Sequence, residues 1–246
     1  MTPLARIVLI TVVAVAFTTE AAVGFGATLI TLALGSLVTS IDELLFAIVP
    51  LNLALSLAVL SRAYTHVDGR ALFRRILPVM GLGFPLGVFA FQKLPPNTVR
   101  LAFGIFVAVL GAVELWGLVR TQAKERPIHR GLAFFLLFLG GAIHGAFASG
   151  GPPVVYVCGR TLPDKRVFRA TLAALWFLLG GVLLIIHAYT GHIGRTSLTL
   201  TAWLVPGLAV GLVMGEVLHG KLPERTFRIL VFALLTLVGV VLALRA

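Results

Sequence analysis

Gly140-Gly141-Ala142-Ile143-His144-Gly145-Ala146-Phe147-Ala148-Ser149-Gly150-Gly151-Pro152-Pro153 cannot remain one continuous helix. Gly lowers helix stability by about 1 kcal/mol relative to Ala, and Pro by about 3, so the end of this run opens backbone N–H and C=O groups. Yet it lies inside an apolar segment, 131–159, long enough to enter a membrane. A second break, Val23-Gly24-Phe25-Gly26-Ala27, interrupts the apolar stretch 4–39, which is too long for one span and somewhat short for two. Broken backbone at membrane depth is tolerated only where protein or a water-filled cavity surrounds it. Each stretch is therefore expected to be a broken helix or a re-entrant hairpin.

Composition supports the membrane setting. Of 246 residues, 59% are hydrophobic and only 12% charged, against about one-quarter charged in a soluble domain. The net charge of +11 would point to nucleic acid in a soluble protein. Here the Lys and Arg residues fall between apolar runs, where topology and anionic headgroups account for them. Membrane lipids are thus expected partners and nucleic acid is not. The single cysteine, Cys158, excludes an intramolecular disulfide and reads as a small buried residue. No metal-ligand pattern, cofactor motif, H-E-x-x-H, G-x-S-x-G or paired-aspartate motif is present, so an enzyme is not expected. The run Leu4 to Phe17 has the length of a signal peptide but no cleavage site, and it continues into further apolar sequence.

Six ordinary spans are expected at about 44–63, 73–92, 98–119, 167–189, 197–218 and 226–244. Landmarks recur in the same order. Ala63-Tyr64-Thr65-His66-Val67-Asp68-Gly69-Arg70 returns as Ala188-Tyr189-Thr190-Gly191-His192-Ile193-Gly194-Arg195, and Lys93-Leu94-Pro95-Pro96 as Lys221-Leu222-Pro223-Glu224, followed by Arg100 and Arg228 respectively. Gly83 and Gly87 match Gly211 and Gly215, at a spacing suited to close helix packing. The chain thus divides into a first repeat, 1–119, a basic linker, 120–130, and a second repeat, 131–246. The linker holds Arg120, Lys124, Glu125, Arg126, His129 and Arg130.

Loop charge distinguishes two topologies. If each broken stretch crosses once, the 20 Lys and Arg residues split 11 to 9. If each enters and leaves on one side, they split 15 to 5, as the positive-inside rule requires. Each repeat then crosses three times, so the halves are inverted. The expected fold is an all-α polytopic membrane protein of two homologous halves, each a glycine-broken re-entrant hairpin plus three transmembrane helices. This is an arrangement common among secondary transporters.

The second break resembles the second-half signature of the sulfite exporter TauE/SafE family, and Glu20-Ala21-Ala22-Val23-Gly24-Phe25-Gly26-Ala27-Thr28 resembles its first-half glycine motif. Where the family usually has consecutive glycines, this chain has Gly-Phe-Gly-Ala. The resemblance implies transport of sulfite, sulfonates or related organosulfur anions across a bacterial-type cytoplasmic membrane without ATP.

A broken helix restarts with free N–H groups and a partial positive charge. Two such ends facing one another would hold a small anion. The candidate binding residues are Gly24, Gly26 and Thr28 in the first break and Ser149, Gly150, Gly151 and Pro152 in the second, with Pro153 completing the restarted turn. Prolines favour a site over simple packing, which needs none. Glu20 and His144, 124 residues apart, are candidates for proton coupling because ionisable groups inside spans are costly. Glu114 and Glu216 also fall in spans, Asn52 beside Pro50 suits an interhelical hydrogen bond, and Asp42, Glu43, His187 and His192 are expected at the outer surface.

The expected function is a secondary transporter of a small anion working by alternating access. An anion channel is the alternative, followed by a membrane-embedded enzyme and an assembly subunit; the oligomeric state is open, a homodimer included. Single cysteines at Ser40 and Arg70, in a Cys158→Ser background, are expected to react with an impermeant maleimide from opposite faces of oriented vesicles. Labelling of both from one face overturns the inverted arrangement.

Overall fold

The computed structural model describes residues 2–120, 128–162, 164–218 and 224–244, without the side chains of Pro96, Glu114, 118–120, 224–231 and Leu234. The side chains of Glu114, Arg120, Glu224 and Arg228, the linker residues Lys124, Glu125 and Arg126, and residues 221–223 of the repeat landmark therefore lie outside what is described. Every regular element among the described residues is helical. In chain order these are α1 (Pro3–Val23), α2 (Ala27–Gly35), α3 (Ile41–Ala63) with a 3-10 turn Tyr64–His66, and α4 (Gly69–Ala71). A π-turn, Leu72–Ile76, joins α4 to α5 (Leu77–Lys93), and α6 (Pro96–Arg120) closes the first half. The second half holds α7 (Arg130–Phe147), α8 (Gly151–Thr161), α9 (Lys165–Tyr189), α10 (Arg195–Leu218) and α11 (Glu224–Leu244). Seven helical segments among the described residues are long and apolar enough to cross a membrane, making this a multi-pass protein.

Both interrupted stretches fold back on themselves. Gly26 lies beside Thr19, and Gly35, at the other end of α2, lies beside Leu9, so α2 returns antiparallel along α1. In the second half Gly150 lies against Gly140 and His144, and Val154 against Gly140, so α8 returns along α7. The outgoing arms have 21 and 18 residues and the returning arms only 9 and 11. At about 1.5 Å per residue the returning arms are roughly 14 and 17 Å long, half a bilayer core.

A single offset of 124 residues superposes the local chemistry of the two halves. Gly24 and Ala148 both end their helices in the left-handed region, at φ 98° and 49°, and each donates its N–H to the carbonyl of Glu20 or His144. Gly26 and Gly150 precede the restarts at Ala27 and Gly151. Ser40 and Asp164 then cap α3 and α9, accepting the N–H of Glu43 and those of Arg166 and Val167 respectively. Side-chain oxygens of this kind satisfy first-turn donors that the helix itself leaves open.

Helix directions follow from the contacts. Phe46, near the start of α3, packs edge-on against His187, near the end of α9, while Leu53 lies beside Gly180 and the N–H of Asp68 donates to Thr171. The corresponding helices α3 and α9 therefore run antiparallel. So do α6 and α11, with Gly104 against Ala243 and Gly111 against Phe232 and Thr236. In contrast, α5 runs parallel to α7 and α1 parallel to α10. Gly83 packs on Phe138 and Ala142; with the halves exchanged, Gly211 packs on Ala14 and Thr18.

His187 corrects one expectation. It stands at the same end of the molecule as Asp42, Glu43 and the exposed His192, but it is only 3% exposed, its ring covered by Phe46. The start of α3 folds over it, an outcome of helix pairing rather than of its own polarity. Cys158 is buried, and Glu216 forms an ion pair with Arg169 of α9.

A Cβ on Gly87 would stand 1.8 Å from the Ala142 carbonyl oxygen, whereas one on Gly81 would meet nothing within 4 Å. Gly87→Ala is expected to cost about 1–3 kcal/mol through overpacking, seen as a lowered unfolding midpoint in detergent, with Gly81→Ala near wild type. Equal midpoints for the two variants would remove Gly87 as a contact point.

Candidate functional site

The two hairpin tips meet. The Phe25 ring of the first lies against Gly151 of the second, so that a Cβ at Gly151 would come within 3.2 Å of it. The meeting point is flanked by Asn52, which lies midway along α3, and Trp176, near the middle of α9. Between them is a cavity of about 30 Å³, room for about two water molecules.

Eight of the nine candidate residues line this one cavity. Glu20, Gly26 and Thr28 come from the first hairpin. His144, Ser149, Gly150, Gly151 and Pro152 come from the second. Gly24 does not line it; its carbonyl accepts the indole N–H of Trp176 at 3.0 Å. Thr28, His144 and Ser149 are 4%, 4% and 6% exposed, unusually deep for polar side chains.

At each break one restarted N–H is satisfied by a side chain of the outgoing helix. Glu20 Oε2 accepts the N–H of Ala27 at 2.7 Å, so its carboxylate reaches over the tip to cap the restarted α2. His144 reaches over the second tip in the same way, its Nδ1 accepting the N–H of Gly150 at 3.4 Å. These bonds supply partners for donors that would otherwise be stranded away from water. His144 is held in orientation by Trp176, stacked at 5.2 Å and 14°, with Phe84 tilted against it at 6.2 Å.

Asn52 and Trp176 also line the cavity, and the sequence alone gave them little weight. Asn52 donates through Nδ2 to the Thr28 hydroxyl, and its Oδ1 has no partner among the described residues. Trp176 ties α9 to the opposite hairpin and clamps His144. The available signal was the repeat offset: Asn52 and Trp176 are 124 residues apart, as are Glu20 and His144. The site therefore offers hydroxyl, imidazole and backbone groups on one side, with the Glu20 carboxyl across from them.

Two curated relatives share this pattern of length and sequence. The chain is 24% identical over 199 residues to the probable sulfite/organosulfonate exporter TauE of Cupriavidus necator, covering 79% of this chain and 76% of that protein. It is 25% identical over 159 residues to the probable inner membrane transporter protein TsaS of Comamonas testosteroni, covering 62% of this chain and 63% of that one. No solved structure matches. The family model of the sulfite exporter TauE/SafE matches residues 8–242, almost the whole chain, and the protein belongs to that family of transporters.

Proposed function

We propose that this protein is a secondary transporter that moves a small sulfur-containing oxyanion, such as sulfite or a sulfonate, across the cytoplasmic membrane by alternating access. The observation that carries this reading is the meeting of two broken-helix tips around a cavity with buried polar side chains in its wall, at the midpoints of α3 and α9. A restarted helix presents N–H groups and a partial positive charge, which stabilise an anion without a buried arginine. The names of the two relatives support the substrate class and the membrane.

In this proposal the halves are inverted repeats and the hairpins are re-entrant. The antiparallel courses of α3 against α9 and of α6 against α11 support that arrangement. The division proposed is 1–119 and 131–246, joined by the basic linker 120–130. Alternating access then amounts to rocking one half against the other around the tips. Glu20, in the cavity wall, is the group placed to couple a proton to the movement.

Gly151→Ala tests the site with little demand on the backbone, because Gly151 is helical and the atoms nearest its added methyl belong to the Phe25 side chain. In proteoliposomes loaded with sulfite, we expect this variant to transport at least about tenfold more slowly at unchanged helical content. Glu20→Gln is expected to transport more slowly and to lose stimulation by a proton gradient. Wild-type rates in both variants would remove these residues from the pathway.

A further inference from the structure

Glu20 and His144 occupy equivalent places yet present opposite chemistry to the cavity. Glu20 brings a carboxylate to the start of α2, where it fills the position an anion would take. His144 brings a ring whose tautomer the backbone dictates. The N–H of Gly150 can only donate, so Nδ1 must be the acceptor and the proton of the neutral ring sits on Nε2. That Nε2 has no partner among the described residues, although the side chain is 4% exposed and lines the cavity.

The restarted α8 narrows the choice further. Pro152 and Pro153 have no N–H, and the N–H of Gly150 is taken by His144. Gly151 is left as the backbone donor of that first turn, next to the Ser149 hydroxyl in the cavity wall. A second proton on the ring would set Nδ1–H against the N–H of Gly150, two donors facing each other. Proton uptake at His144 therefore requires the break itself to open.

We infer that anion binding is one-sided: the second hairpin holds the oxyanion through His144 Nε2–H, with Gly151 N–H and the Ser149 hydroxyl beside it, and His144 acts as a fixed neutral donor rather than a proton carrier. This rests on the transporter reading above and deepens it. The first hairpin, filled by Glu20, contributes the opposite wall. Trp176 and Phe84 are positioning residues that hold the imidazole in register.

The test uses methanesulfonate, a monoanion throughout the working pH range, with binding measured by calorimetry on the purified full chain. His144→Ala is expected to bind about tenfold more weakly, the loss of one buried hydrogen bond. His144→Gln, whose terminal amide reaches the level of Nε2, should recover most of that loss with the wild-type pH profile, while His144→Asn, which reaches only the level of Nδ1, should not. In the wild-type protein, nitrogen NMR of His144 should show an Nε2–H tautomer whose signal shifts on adding methanesulfonate. That measurement stands even if His144→Ala fails to fold. An Nδ1–H tautomer, rescue by Asn equal to that by Gln, or an unweakened His144→Ala overturns the inference while leaving transport intact. Wild-type protein that neither binds methanesulfonate nor transports sulfite overturns this inference and the transporter reading together.

Discussion

Backbone donors opened by a helix break at membrane depth have no water to turn to, and an unsatisfied group there costs several kcal/mol. Much of the centre of this protein is organised by that requirement. Glu20 and His144 each reach over a tip to accept an N–H, and Trp176 donates to the Gly24 carbonyl. The same side chains then line the cavity or clamp the group that lines it. Satisfying the breaks and building a polar pocket are thus one structural act. Because the tips touch through Phe25 and Gly151, the pocket belongs to both halves and depends on how they are set against each other.

That setting is held by backbone-to-backbone approach. Gly83 and Gly87 admit α7, and Gly211 and Gly215 admit α1, at distances where any Cβ would collide. Small residues give helices in lipid their closest packing, since apolar side chains gain little there by leaving one apolar phase for another. The pattern is two-fold under exchange of the halves, but the chemistry is not. Arg169 and Glu216 form an ion pair between α9 and α10. At the corresponding offsets of 124 and 128 the first half has Leu45 and Val88, so this link is one-sided. The contrast of Glu20 with His144 is of the same kind: a shared backbone plan carrying different polar groups.

Much of the architecture could be read from the chain. Gly150 to Pro153 and Gly24 to Gly26 announce their breaks because Gly and Pro act locally, through propensity and a missing N–H. Tyr64 and Tyr189 stand in matching runs of sequence, each Ala-Tyr-Thr with a Gly-Arg pair following. Asn52 and Trp176 were harder to weigh, since one polar or aromatic residue in an apolar run has no periodic signature. His187 was harder still, because its burial comes from Phe46, 141 positions away.

The sequence by itself determined the solvent, the number of apolar segments, where two of them break and which residues cluster about each break. Those properties follow from composition and from interactions spanning a few residues. Only the tertiary structure decided that the two breaks share one cavity and that Asn52 and Trp176 flank it. Such facts depend on which helices lie side by side and in which direction, and that is settled by packing between residues more than a hundred positions apart.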